Sequence, residues 1–138
     1  GNPAPDFELP TPEGDTLALH DFLGRVVILD FWASWCAPCL GEMPVMREIY
    51  EKYHDKGLEI VGISLDDKRE RWVRAIEKEG LVWDQVSSLK GRDDCPVARL
   101  YQVIGIPKLY IIDENGKIVA NDLRGEALKE KIDELFSE

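Results

Sequence analysis

No apolar run in this chain approaches the length of a membrane span. Cysteine is scarce: Cys36, Cys39 and Cys95 are the only three. That is too few for a disulfide scaffold, and the odd number leaves one over. The only histidines, His20 and His54, do not stand at ligand spacing from the Cys36/Cys39 pair, and one CxxC offers too few ligands for structural zinc, so no metal site is expected. Positive charge is in deficit, with 17 Lys and Arg against 27 Asp and Glu and a net charge of −10. Phosphate backbones and anionic lipid repel such a chain, which excludes nucleic acid and membrane insertion as expected partners. Repeats, low-complexity tracts and interior linkers are also missing. What is there suits a globular protein, with 44% hydrophobic and 32% charged residues. The 138 residues are enough for one domain with a sizeable core, and residues 1–138 read as a single domain. The start, Gly1-Asn2-Pro3, carries neither Met nor a leader pattern. It reads as the product of leader removal or as a domain excised from a longer chain.

Residues 1–16, rich in Pro, Gly and acids, read as a loop and hairpin arm, with a short strand at 16–19. Val26 to Trp32 is nearly continuous in apolar residues, as in a strand buried on both faces. From Ala37 to Tyr53 the pattern is helical, with Leu40, Met43, Met46, Tyr50 and Tyr53 at three- and four-residue steps. Pro44 lies inside it and removes one helical hydrogen bond, so a kink is expected there. Gly57 ends the helix, and Leu58 to Leu65 is a second buried strand. Asp66 or Asp67 is expected to cap a helix carrying Trp72, Val73, Ala75 and Ile76, stopped by Gly80. Its Lys68, Arg69, Arg71 and Arg74 read as a solvated face. A short strand at 81–86 and a short helix from Pro96 to Tyr101 follow, with Cys95 as a small, partly buried residue capping that helix. Leu109 to Ile112 and Lys117 to Ala120 flank an Asn-Gly turn and read as a hairpin. Leu128, Ile132, Leu135 and Phe136 mark a last amphipathic helix. Strands alternating with helices argue for an α/β domain, with a hairpin pairing antiparallel on one side.

One segment carries chemistry. Asp30-Phe31-Trp32-Ala33-Ser34-Trp35-Cys36-Ala37-Pro38-Cys39 leaves the first buried strand and opens the kinked helix. Residues three apart on a first helical turn share a face, with Cα atoms within disulfide range. Cys36 and Cys39 can therefore join and separate with little backbone movement. Cys36 sits at the helix N-terminus, where free N–H groups and the helix dipole favour a negative sulfur, so it is the expected nucleophile. Pro38 suits the first turn, where its missing N–H has no helical partner to lose. Cys39, a turn deeper, is the expected resolving thiol.

Trp35-Cys36-Ala37-Pro38-Cys39 resembles the active site of the thioredoxins. Ala4-Pro5-Asp6-Phe7, Leu19-His20-Asp21-Phe22-Leu23-Gly24 and Gly41-Glu42-Met43-Pro44 are similar to the TlpA/ResA-like branch of that superfamily. The stretch from Trp83 through Ser87-Ser88-Leu89-Lys90-Gly91 to Leu123-Arg124-Gly125 resembles thioredoxin-like domains of Bacteroidetes. The resemblance covers nearly the whole chain. It implies a thioredoxin fold: a central mixed sheet flanked by helices, with an N-terminal β-hairpin (residues 1–20) and a central helix-strand insertion (about 67–87). It also implies an extracytoplasmic, monomeric thiol-disulfide oxidoreductase, acting on disulfide-containing proteins and recharged by an upstream thiol donor. No bound cofactor is implied, because the Cys36–Cys39 disulfide itself carries the electrons.

The same resemblance assigns further residues. Gly105-Ile106-Pro107 matches the loop whose proline is cis and faces the cysteines, leaving a backbone edge free to pair with substrate. Lys108 follows, where the family more often has Thr. Trp35, Ala37, Pro38, Ile106, Pro107, Arg124 and Gly125 are expected to bind substrate. Asp30 interrupts a large apolar run, so its pKa should rise unless it is hydrogen-bonded. It matches the buried acid that takes the proton of the resolving cysteine, and Glu42 matches the acid of the ResA-like proteins. Thioredoxins also place a Lys on the neighbouring strand, where this chain has Gly62. The expected activity is reduction of protein disulfides with Cys36, Cys39, Asp30 and Glu42 as catalytic residues. Two rivals are a thiol peroxidase, whose lone Cys with preceding Thr and Pro is missing, and a copper-handling protein, for which no third soft ligand is evident.

Overall fold

The computed structural model describes residues 1–137. Two strands form a small antiparallel sheet, β1 (Glu8–Pro10) and β2 (Thr16–Ala18). A 3-10 turn over Leu19–Phe22 leads from them into β3 (Val26–Trp32). The main sheet adds β4 (Leu58–Ser64), β5 (Asp84–Ser87), β6 (Lys108–Ile112) and β7 (Ile118–Asn121), in the spatial order β5-β4-β3-β6-β7. β3, β4 and β5 run parallel; β6 and β7 are antiparallel to their neighbours. The N-terminal arm extends the far edge through an isolated antiparallel bridge between Pro3 and Lys117.

All seven residues of β3 and all seven of β4 are buried, which explains their continuous apolar runs. Full burial of each large apolar side chain stabilises by roughly 1.5–3 kcal/mol. The order of the sheet also positions the site. Because β6 runs antiparallel to β3, the start of β6 lies beside the end of β3, with Lys108 opposite Phe31. The Pro107 loop and the CxxC loop therefore share one end of the sheet.

The helices are α1 (Ala37–Gly41), α2 (Met43–Tyr53), α3 (Arg69–Glu79), α4 (Pro96–Leu100) and α5 (Gly125–Phe136). The expected kink at Pro44 is a break at Glu42, which ends α1 and precedes α2. The buried stripe of α2 is Met43, Met46, Ile49 and Tyr53, with Leu40 and Tyr50 half-buried. α2 ends at Tyr53, and a 3-10 turn over His54–Lys56 leads to Gly57 at φ 107°.

Several expectations are corrected. Lys68 occupies the N-cap of α3 without a side-chain bond, and Asp66 is instead turned back into the sheet edge. The strand expected at 81–86 begins later, as β5, because Leu81, Val82 and Trp83 form the connection out of α3. Leu81 and Trp83 are buried without pairing in the sheet, so their apolar character reflects packing on its flank. Cys95 stands at the N-cap of α4 but makes no cap bond, and it is fully rather than partly buried. Leu19 belongs to the 3-10 turn rather than to β2.

Candidate active site

β3 delivers the chain to the sheet edge at Trp32, and Ala33-Ser34-Trp35 turns it into α1. The Cys36 N–H donates to the Ala33 carbonyl (3.1 Å), and the Leu40 N–H donates to the Cys36 carbonyl (3.1 Å) as the helix begins. Cys36 is the N-cap of α1, and the Cys39 N–H donates to its sulfur at 3.2 Å. This backbone donor, one of those left free at a helix start, is aimed at the Cys36 sulfur, a position that favours negative charge. Cys36 and Cys39 form a disulfide with Cα atoms 5.3 Å apart. Their exposures hardly differ, 5% and 2%, so shielding does not distinguish the two thiols. Position on the helix does. Trp35, Ala37 and Pro38 surround the pair as exposed residues, and Trp35 is 52% exposed despite its size.

Asp30 lies in the middle of β3 and is 7% exposed. Burial, and secondarily the negative charge of Glu42, push its carboxyl up to about 7. Its β4 neighbour in register is Gly62. A Cβ at Gly62 would stand 2.2 Å from Gln85 Oε1, so the space beside Asp30 is filled by an amide reaching over from β5. That amide oxygen accepts from Trp32 Nε1 at 2.9 Å. Nothing in the sequence linked Gln85 to the site. Only the side-chain gap at Gly62 pointed to something unusual there.

Glu42, at the break between α1 and α2, accepts a hydrogen bond from the Gly125 N–H at 3.1 Å. The break turns its carboxylate toward the start of α5, where free N–H groups favour an anion. A narrow cleft brings Asp30, Glu42, Pro107 and Arg124 together, walled by Met46, Leu109, Asp122 and Leu123. The Ile106–Pro107 bond is cis. Arg124 Nη2 donates to the Pro107 carbonyl at 3.2 Å. Lys108 pairs with Asp122 at 2.6 Å, with its ammonium also over the Tyr110 ring. Ile106 is half-buried beside Pro107. Of the residues singled out in the sequence, Asp30, Glu42, Pro107 and Arg124 thus share one cleft, with Gly125 joined through Glu42. Trp35, Ala37 and Pro38 lie on the solvent side of the CxxC turn. Among the described residues, no group of three or more His, Cys, Asp or Glu side chains gathers as metal ligands.

Comparison with known proteins agrees with this geometry. The sequence profile of the AhpC/TSA family matches residues 1–121. The thiol-disulfide oxidoreductase ResA of Bacillus thuringiensis subsp. konkukian is 37% identical over 134 residues, spanning 97% of this chain and 75% of that protein. A thiol-disulfide oxidoreductase from Bacteroides fragilis superposes with a TM-score of 0.91 at 37% identity, covering 98% of this chain and all of that one. The thioredoxin domain of a Bacteroides vulgatus thiol-disulfide oxidoreductase gives 0.91 at 34% identity, over 99% and 97% of the two chains. The thioredoxin fold, the CxxC pair at disulfide distance and these relatives place the chain in the AhpC/TSA family, among its ResA-like thiol-disulfide oxidoreductases.

Proposed function

We propose that this domain reduces disulfides in protein substrates, with Cys36 as nucleophile and Cys39 as resolving thiol. The Cys36 thiolate attacks one substrate sulfur and forms a mixed disulfide, and the other substrate sulfur leaves as a thiolate. Cys39, deprotonated, then attacks Cys36 Sγ. The Cys36–Cys39 disulfide forms and the second substrate sulfur leaves, so the substrate gains two electrons and the domain loses two. The observation that carries this reading is the Cys39 N–H aimed at Cys36 Sγ at the start of α1. A thiolate there is stabilised, and one at Cys39 has no equivalent donor by position.

Asp30 is the base for Cys39 in this reading. A carboxyl near pH 7 can both take a proton and return it at working pH. Burial raises the Asp30 carboxyl, and Glu42 in the same cleft adds to it. An acid that serves the resolving thiol favours reduction over oxidation in this reading, because it assists release of substrate as thiol. Trp35, Ala37, Pro38, Ile106, Pro107, Arg124 and Gly125 form the docking surface, with the Pro107 backbone edge pairing to an extended substrate segment. The domain acts outside the cytoplasm as a monomer, needs no bound cofactor, and is returned to the dithiol form by a thiol donor. No helix among the described residues is long and apolar enough to cross a membrane.

A turnover assay tests the reading. The reduced domain should cleave an interchain disulfide of a model protein catalytically, and Cys36→Ser and Cys39→Ser should each abolish turnover. Faster consumption of hydrogen peroxide than of the protein disulfide would move the function to a thiol peroxidase.

A further inference from the structure

β4 ends at Ser64, and the next residues leave the sheet at the carboxyl ends of the parallel strands, where sites form in open α/β sheets. Asp66, 2% exposed, sits on that exit. Its carboxylate faces inward and accepts four hydrogen bonds from three donor groups. The Ser34 hydroxyl donates to Oδ1 at 2.5 Å, and the Ser64 hydroxyl donates to Oδ2 at 2.5 Å. The Ser34 N–H donates to both oxygens, at 3.3 Å and 3.1 Å. Ser64 Oγ in turn accepts from the Asp66 N–H at 2.9 Å, which locks the carboxylate's own backbone. The Asp66 carbonyl accepts from the Gly91 N–H.

A buried carboxylate costs several kcal/mol of desolvation unless hydrogen bonds replace its water. Here the replacing donors come from Ser34 and Ser64. Ser34 is two residues before Cys36, in the turn with no regular secondary structure of its own between β3 and α1. Its N–H and hydroxyl both end on Asp66. The Cys36 N–H then bonds the Ala33 carbonyl. The turn is therefore anchored on both sides of Ser34.

We propose that Asp66 is a positioning residue of the dithiol: through Ser34 it fixes the turn that presents Cys36 Sγ to the first N–H groups of α1. Without that anchor, Sγ is free to leave the donor at Cys39 N, and the thiolate loses part of its stabilisation. The attack slows, and the reduced form becomes less favoured relative to the disulfide. This inference rests on Cys36 being the nucleophile.

The test uses Ser34→Ala, Ser34→Thr and Asp66→Ala in the full chain, with Cys36→Ser as control. Two quantities are read at a temperature where each variant is folded: the rate of attack on a protein disulfide, and the dithiol equilibrium constant against glutathione. Ser34→Ala and Asp66→Ala should slow attack by about tenfold or more, since small displacements of a reacting group carry rate losses of that order. Their equilibrium with glutathione should move toward the protein disulfide by about threefold or more. Ser34→Thr keeps the hydroxyl and should restore both. A residue that only stabilises the fold would lower the melting midpoint and leave the equilibrium constant of folded molecules unchanged. That pattern in Ser34→Ala would overturn the proposal. If Asp66→Ala does not fold, Ser34→Ala alone decides, because it removes the hydroxyl bond of the same link at a half-exposed position. Attack retained in Cys36→Ser would overturn the nucleophile assignment, and this inference with it.

Discussion

Asp30 stands between Leu29 and Phe31 in a strand buried along its whole length. In the unfolded chain its proton leaves near 3.8; in the folded chain it stays on to about 7. Between those values the folded state binds more protons, so stability falls as pH rises through this window, and above it the cost is complete. The cost is about 1.4 kcal/mol per pH unit of separation. Asp30→Asn should therefore stabilise the domain by about 3–4 kcal/mol more at pH 8 than at pH 4, the cost of the buried amide itself being the same at both pH values and cancelling from the difference. Urea unfolding at the two pH values checks this, and equal effects at both would contradict the shifted carboxyl. The same variant should slow resolution of the mixed disulfide by about 10²-fold or more, the usual contribution of a positioned base. It should also abolish the rise of that step through pH 7. Loss confined to Glu42→Gln, with Asp30→Asn unchanged, would transfer the base role to Glu42.

At the scale of elements, Gly62 shows how one strand position serves another. Its missing side chain admits the Gln85 amide beside Asp30, and the amide holds Trp32. Gly62→Ala should displace Gln85, break the bond to Trp32 and cost about 1–3 kcal/mol, as overpacked cores do; an unchanged urea midpoint would show that the amide moves freely. The central strands were legible in the sequence because burial on both faces leaves no polar alternation to misread. The CxxC at a strand-helix junction was legible because its spacing is its chemistry. The role of Asp66 is not legible in sequence for a physical reason: an Asp before a helical pattern serves equally as a cap or as an acceptor for a distant turn, and its partner Ser34 is 32 residues away. The start of β5 is obscured in sequence because Leu81 and Trp83, just before it, are buried without pairing. Gln85 carried no local signal, since only the register of three strands brings it beside Asp30.

Over the whole molecule, the excess of 27 acidic over 17 basic residues sets a field that favours cationic partners. Reduction of a cationic peptide disulfide should slow as salt rises from about 0.02 to 0.2 M, and that of an anionic one should quicken, because screening shortens to about a nanometre over this range. Equal salt dependence for both peptides would remove steering from the account. The fold's part is to set two thiols of nearly equal burial in unequal places, one at the mouth of a helix and one a turn inside it. The measurement that tests this most directly is trapping. Oxidised protein substrate is mixed with reduced Cys36→Ser and with reduced Cys39→Ser, each reaction is quenched by acid, and the covalent adducts are mapped by mass spectrometry. The account predicts a stable mixed disulfide at Cys36 in Cys39→Ser and none in Cys36→Ser. An adduct at Cys39 in Cys36→Ser, at equal or greater yield, would contradict it.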